Sequence, residues 1–244
     1  MKKNKKFYNK QGIQEYYIST INHKKINFIN YLNTFEILLI KKFCKKNIKN
    51  ILVIGMGYGR EIDFLKKIYL NVVIDVIDFS KKFIEFGEKN YKNVNFYNLN
   101  LNSQKIKKFN FKKYDLILCF NTIDYLNPKI GSDLIERICK AMKKKSLFVF
   151  RLQSKNFIFS FLVNYLMKNR STSETFTYLY NLKNIRNIII KQKLKCDLIK
   201  QPLVLDGLDF FYSNLWNLFS YIEPIFRFLL PKINCRACYF VCKK

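Results

Sequence analysis

The chain is poor in glycine, proline, histidine and acidic residues, and each shortage excludes something. Seven glycines and four prolines in 244 residues leave no glycine- or proline-rich linker, and no internal repeat is visible. A single histidine, His23, argues against a histidine-based metal centre. The cysteine trio Cys235, Cys238 and Cys242 offers only three thiols, with His23 far away in sequence, so no metal is expected. No apolar run reaches the length of a membrane span. The nearest, residues 215–231, is interrupted by Glu223, Pro224 and Arg227. It suits a core or lid helix pair, or a peripheral surface meeting a lipid-like substrate. The start, MKKNKKFYNK, runs into polar sequence instead of an apolar segment, so no secretory leader is expected. Neither is a disulfide framework, and the expected location is the cytoplasm.

The shortage of acid has a counterpart. Forty-five Lys and Arg against 17 Asp and Glu give a formal charge of +28. One reading is a polyanionic partner, nucleic acid or an acidic membrane surface. The other is compositional drift, because Lys, Asn, Ile, Phe and Tyr are inflated together and share A/T-rich codons. The lysines are spread along the chain and form no single block. With 49% hydrophobic residues, the length suits one domain with a full core.

Apolar spacing predicts two helices across residues 14–49, from positions such as Ile26, Ile29, Leu32, Phe35, Leu38, Leu39 and Phe43. Strands and helices then alternate. Strands are predicted at Ile51–Ile54, Val72–Ile77, Val94–Tyr97, Tyr114–Phe120 and Ser146–Leu152. Helices are predicted at Glu61–Tyr69, from Ser80 to about Lys89 with Ser80 as N-cap, and over 132–143. A helix over 182–194, a strand over 196–204, a helical insertion and a strand over 236–243 complete the order. Such alternation implies right-handed crossovers and a mostly parallel sheet covered on both faces.

Three of the seven glycines, Gly55, Gly57 and Gly59, fall within ILVIGMGYGREIDFL. Strand, glycine turn and helix in that order place a nucleotide-type ligand at the carboxyl end of a first strand. A dinucleotide fingerprint needs glycine at position 60, where Arg60 stands, and no Walker lysine–serine pair follows. The second strand ends in Asp78, 19 residues after Gly59, where a carboxylate can accept hydrogen bonds from the vicinal hydroxyls of a ribose.

With these residues in place the chain resembles the class I S-adenosylmethionine-dependent methyltransferases, in particular their small-molecule group. ILVIGMGYGREIDFL resembles the first motif and VIDVIDFSKKFIEFGEK the second strand and following helix. NVNFYNLNL resembles the adenine-contacting stretch, KYDLILCFNTIDYL the fourth strand with its exit loop, and IERICKAMKKKSLFVF the approach to the fifth strand. FTYLYNLKNIRNIIIKQKLKCDLI and RACYFVCKK resemble the region around strand six and the antiparallel last strand. The resemblance implies an α/β, Rossmann-like class I methyltransferase fold. It has a seven-stranded, mostly parallel sheet with an antiparallel last strand, N-terminal helices and a helical insertion before that strand. One domain is expected over 1–244: a helical cap at 1–49, a cofactor-binding core at 50–152, and a substrate-side half at 153–244 with the insertion at 206–231. Three positions depart from the family pattern. Val53 stands where an acid is usual, Asn100 where an adenine-side aspartate is usual, and Lys144–Lys145–Ser146 replaces a Pro-Gly-Gly.

By this resemblance S-adenosyl-L-methionine is the cofactor. Gly55, Gly57, Gly59 and Asp78 hold its methionine and ribose parts, and Phe79, Leu99, Asn100 and Leu101 surround adenine. Phe120, Asn121 and Thr122 face the transferred methyl. Asp124 and Tyr125 are the candidate catalytic groups beside the acceptor, with Tyr17 and His23 of the N-terminal helices as further candidates. A methyl sulfonium is already activated, so placement of the nucleophile in line with the S–CH3 bond is the main requirement, with a base only for a protonated acceptor. Pro128, Pro202, Pro224 and Pro231 fit no N/D-P-P-Y/F or Pro-Cys motif, which removes two routes to base methylation. The aromatic, apolar segments 153–179 and 206–231 favour a small or amphiphilic acceptor: a quinone or lipid precursor, a sugar or a secondary metabolite. An RNA acceptor, specifically tRNA, and a non-catalytic cofactor-fold protein are the alternatives.

Overall fold

The computed structural model describes residues 26–44, 47–57, 59–155, 177–200 and 237–244. Tyr17, His23, Cys235, the first of the two N-terminal helices expected, most of 153–179 and the insertion at 206–231 lie outside the described residues. Helix α1 spans Ile26–Phe43 and is followed by β1 (Asn50–Ile54), α2 (Arg60–Ile68), β2 (Val73–Asp78), α3 (Lys81–Asn90) and β3 (Val94–Asn98). Next come the short α4 (Gln104–Lys107), β4 (Leu116–Cys119), α5 (Pro128–Ala141), β5 (Leu147–Gln153), α6 (Leu182–Lys191), β6 (Lys195–Lys200) and β7 (Ala237–Lys243).

The seven strands form one sheet in the order β3-β2-β1-β4-β5-β7-β6. Pairs among β3, β2, β1, β4 and β5 are parallel, and β7 runs antiparallel to both β5 and β6. The order reverses between β1 and β4, so the carboxyl ends of those strands flank the crevice where α/β sheets bind ligands.

Burial explains why the central strands read as continuous apolar runs. Both sheet faces are covered, and alternate residues enter different cores. Leu52, Ile54, Ile117, Cys119, Phe148 and Phe150 pack under α5 and α6. Ile51, Val53, Leu118, Phe120, Val149 and Tyr239 pack under α1, α2 and α3, against Leu39, Ile40, Ile62, Leu65 and Phe83. Asp75, almost wholly buried in β2, is matched by the Lys113 ammonium, the Tyr114 hydroxyl and the Asn95 amide. Those three donors hold its carboxyl below the usual carboxylate range despite burial.

Local chemistry sets the element ends. Ser80 caps α3 by accepting the Phe83 N–H, as expected. Helix α5 begins four residues earlier than its predicted start at 132, at Pro128, with the Asn127 side chain accepting the Lys129 N–H. Proline at the first helical position loses no hydrogen bond, and Asn127 supplies the cap. Ahead of β5, where the resemblance would place glycine, Lys145 takes the left-handed conformation with φ 70°.

Candidate functional site

The glycine turn is built from the end of β1. Gly55 N–H donates to the Ile77 carbonyl at 2.7 Å, and Gly59 N–H donates to the Met56 carbonyl at 2.8 Å. All three glycines have positive φ: 78° at Gly55, 51° at Gly57 and 85° at Gly59. Two of them matter for different reasons. A Cβ on Gly55 would overlap the Thr122 side chain, so the exits of β1 and β4 touch there. A Cβ on Gly57 would meet nothing within 4 Å. The chain therefore leaves open space against bare backbone at Gly57, the kind of cradle that a ligand lying on the main chain requires.

Asp78 ends β2 and closes this turn from the side. Its Oδ2 accepts the Met56 N–H at 3.0 Å and its Oδ1 accepts the Ser80 N–H at 2.8 Å. Burial pushes the carboxyl up to about 6, against the opposing pull of the Ser80 and Met56 amides. Each carboxylate oxygen has a second lone pair, so these bonds leave acceptor capacity for a pair of hydroxyls.

The remaining cofactor-side candidates lie along the same carboxyl edge. Phe79, beside Asp78, is a large aromatic at the carboxyl edge of the sheet, 46% exposed. Its carbonyl accepts the Asn98 side-chain amide at 3.0 Å, which holds the backbone between β2 and β3. Leu99 N–H donates to the Asp78 carbonyl at 3.0 Å. Leu99 and Leu101 are half-buried against the core beneath α5. Asn100 accepts the Asn102 N–H on its side chain and the Ser103 N–H on its carbonyl, so it organises the turn after β3. Phe120 is buried, in edge-on contact with Tyr239 at 5.6 Å between ring centres. Asn121 has φ 53° and its side-chain oxygen accepts from the Arg151 guanidinium.

The two acceptor-side candidates separate by environment. Asp124 is buried, and its Oδ1 accepts the Gln153 N–H at 2.9 Å while its Oδ2 lies 3.6 Å from Arg151 Nη1. Its carbonyl accepts the Tyr178 N–H at 2.6 Å. Tyr125, in the same short 3-10 turn Ile123–Tyr125, is half-buried. The Tyr180 hydroxyl meets the Ile123 and Leu126 carbonyls at 2.9 and 2.8 Å and clamps that turn.

Sequence reasoning missed a charged network on the α1 side of the sheet. Glu36 of α1, wholly buried, takes the Tyr239 hydroxyl at 2.8 Å on Oε1 and Arg60 Nη1 at 2.8 Å beside Oε2. Arg60 also reaches Glu61 Oε1 at 2.7 Å. The signals were single charges inside apolar runs, Glu36 in TFEILLI and Arg151 in LFVFRL. Among the described residues no group of three His, Cys, Asp or Glu is arranged to hold a metal ion. No described helix is long and apolar enough to cross a membrane. An open groove lined by Lys42, Phe43, Arg186 and residues 196–199 lies at the β6 edge, away from the glycine turn.

Residues 51–145 match the family model described as "Methyltransferase domain". No curated protein sequence matches the chain. Solved structures share its fold. A SAM dependent methyltransferase from Archaeoglobus fulgidus has a TM-score of 0.63 at 15% identity, covering 88% of this chain and 94% of that one. The plantazolicin methyltransferase BpumL, in complex with SAH, has a TM-score of 0.60 at 16% identity, covering 99% and 93%. The magnesium protoporphyrin IX methyltransferase of Synechocystis, with bound SAH, has a TM-score of 0.63 at 11% identity, covering 98% and 97%.

Proposed function

We propose that the chain is an S-adenosylmethionine-dependent methyltransferase that transfers the methyl group to a small or amphiphilic acceptor. The observation that carries the donor site is the closure of the glycine turn by Asp78, with open space left at Gly57. The bound donor would supply an electrophilic methyl group. The chain's own part is to bind, orient and exclude water. Gly55, Gly57 and Gly59 present bare backbone, Asp78 offers lone pairs to ribose hydroxyls, and Phe79, with Leu99, Asn100 and Leu101, is assigned to adenine. Phe120 and Asn121 form the floor beside the methyl group.

On the acceptor side, Asp124 sets the Ile123–Tyr125 turn through Gln153 and Arg151, and Tyr125 is our candidate group beside the acceptor. We assign the whole of 1–244 to one domain, with the cap at 1–49, the core at 50–152 and the substrate-side half at 153–244. The apolar and aromatic composition of 153–179 and 206–231 supports an amphiphilic acceptor. So does the fold likeness to enzymes named for plantazolicin and magnesium protoporphyrin IX. The charge of +28 favours the second reading, an RNA acceptor.

One experiment tests both. The purified protein is titrated calorimetrically with S-adenosylmethionine, then incubated with methyl-labelled donor and either a small-molecule extract or total tRNA. Label in the small-molecule fraction is expected. Label in tRNA alone overturns the acceptor assignment, and absence of binding at high micromolar donor overturns the donor site.

A further inference from the structure

Three thiols meet at the end of the sheet opposite β3. Cys196 of β6 and Cys242 of β7 are partners in the antiparallel register. Directly opposed residues of an antiparallel pair share one face of the sheet, with Cα atoms about 4.5 or 5.5 Å apart. Both spacings lie within the range that a disulfide spans. Cys139 of α5 belongs to the core that takes Cys242 and that Cys196 packs against. The Cys242 thiol is hydrogen-bonded to both Cys139 and Cys196, and all three are free thiols.

Their surroundings differ. Cys139 and Cys242 are buried, whereas Cys196 is half-buried and lines the open groove at the β6 edge. That groove, about 510 Å³, has the size of a small-molecule cleft. Lys42 and Phe43 line it from α1 and Arg186 from α6. Asp197 also lines it, and Lys243 pairs with that carboxylate at 3.4 Å. A basic lining of this kind favours a thiolate and draws small anions. The Cys242 hydrogen bond, ahead of the Arg186 guanidinium, holds the Cys196 thiol below its usual range, against burial and the Asp197 carboxylate. Cys242 is held well above that range by its hydrogen bonds to Cys139 and Cys196 and by burial. Cys44, half-buried like Cys196, is pushed up to about 12, chiefly by burial. Cys196 thus combines partial exposure with positive charge and a thiol partner across the strand.

We propose that Cys196 and Cys242 form a thiol–disulfide exchange site whose groove takes a small disulfide bearing carboxylates. The Cys196 thiolate attacks one sulfur of that disulfide, whose S–S bond breaks as the new S–S bond to Cys196 forms. The first leaving thiolate takes a proton from solvent, replacing the one that Cys196 gave up. Once Cys196 is bonded to the incoming sulfur, Cys242 loses the thiolate that held its proton. Cys242 then attacks the Cys196 sulfur, and its proton passes to the second leaving thiolate. Two protein thiols are oxidised to one disulfide, and one small disulfide is reduced to two thiols. Lys42 and Arg186 are the groups that receive the carboxylates. The groove lies away from the glycine turn, so this site stands or falls independently of the donor site.

The test treats the reduced whole chain with oxidised glutathione and reads intact mass and a peptide map. Wild-type protein is expected to lose two hydrogens, mapped to a Cys196–Cys242 disulfide that dithiothreitol reverses. Cys242→Ser is expected to stop with glutathione bound to Cys196, and Cys196→Ser to form neither product. Rates are normalised to those of an unstructured cysteine peptide. On that scale, oxidised glutathione is expected to react roughly tenfold faster than cystamine, a cationic disulfide, at low salt. Arg186→Gln is expected to narrow the difference, as is high salt. No exchange, exchange only at other cysteines, or glutathione retained on wild-type Cys196 overturns the site. Equal normalised rates for the two disulfides overturn the groove as its binding surface. The wild-type measurements need no variant, so poor folding of Cys242→Ser leaves the test decisive.

Discussion

Asp78 Oδ2 accepts the Met56 N–H at 3.0 Å, so the carboxylate at the end of β2 holds the glycine turn at the end of β1. One side chain thus shapes the cradle and presents lone pairs into it. Asp78→Ala is expected to weaken S-adenosylhomocysteine binding at least about tenfold, the scale of a lost charge-assisted hydrogen bond. Calorimetric titration checks this, and an unchanged affinity removes Asp78 from the ribose site.

The same carboxyl gives opposite pH signatures to stability and to binding. Its folded value is pushed up to about 6 from an ordinary 3.8, so its contribution to stability is complete below about pH 4 and lost as pH rises through 6. Wild-type stability measured relative to Asp78→Ala is expected to decline by about 3 kcal/mol between pH 4 and 7. Ribose hydroxyls favour the ionised form, so S-adenosylhomocysteine affinity is expected to drop about tenfold from pH 7 to pH 5. Denaturant titrations and calorimetry across that range test the two signs separately.

Gly55 and Gly57 predict different failures. Gly55→Ala adds a side chain where Thr122 already stands, at φ 78°. It is expected to cost more than about 2 kcal/mol of stability, from strain and overpacking together. Gly57→Ala meets open space, so only about 1 kcal/mol of backbone strain is expected, with loss of cofactor binding because the new methyl fills the cradle. Thermal melts paired with titrations resolve the two. Equal loss of binding and stability in both variants contradicts the assignment.

Asp124 and Tyr125 are neighbours with separable roles. Asp124→Asn keeps the shape but removes the charge opposite Arg151, and a midpoint lowered by about 1–3 kcal/mol of stability is expected. Tyr125→Phe is expected to leave stability within about 0.5 kcal/mol and to lower methyl incorporation. Incorporation of labelled methyl per folded protein is the measurement that decides.

Lys145 sits at φ 70°, a conformation that costs a residue with a Cβ about 1 kcal/mol. Lys145→Gly is expected to stabilise the protein by about 0.5–1 kcal/mol, read from a denaturant midpoint.

The succession of strands along the chain and the glycine turn were legible because alternating buried runs and positive-φ glycines leave local signatures. Val94–Asn98 and Leu116–Cys119 lie within a residue or two of expectation. The start of α5 was not legible in the same way. Gly131 falls inside the helix, where the Tyr180 hydroxyl occupies the space that a Cβ would need. The 3-10 turns Phe111–Lys113 and Ile123–Tyr125 are too short to carry a period. Glu36 and Arg60 were hidden for a different reason. Their pairing is made by tertiary packing of α1 on the sheet, and neither residue has a local motif.

The Tyr239 hydroxyl reaches Glu36 across 203 positions of sequence. β7 follows β6 in the chain but inserts between β5 and β6, so β6 has no place in the sheet until β7 is laid down. A nascent chain that ends before residue 237 still has the glycine turn, Asp78 and all five parallel strands, but lacks the hydroxyl that holds Glu36. Closing a contact of that span is slow compared with forming βα units. Ribosome-bound chains of that length are thus expected to be compact before β6 and β7 join the sheet.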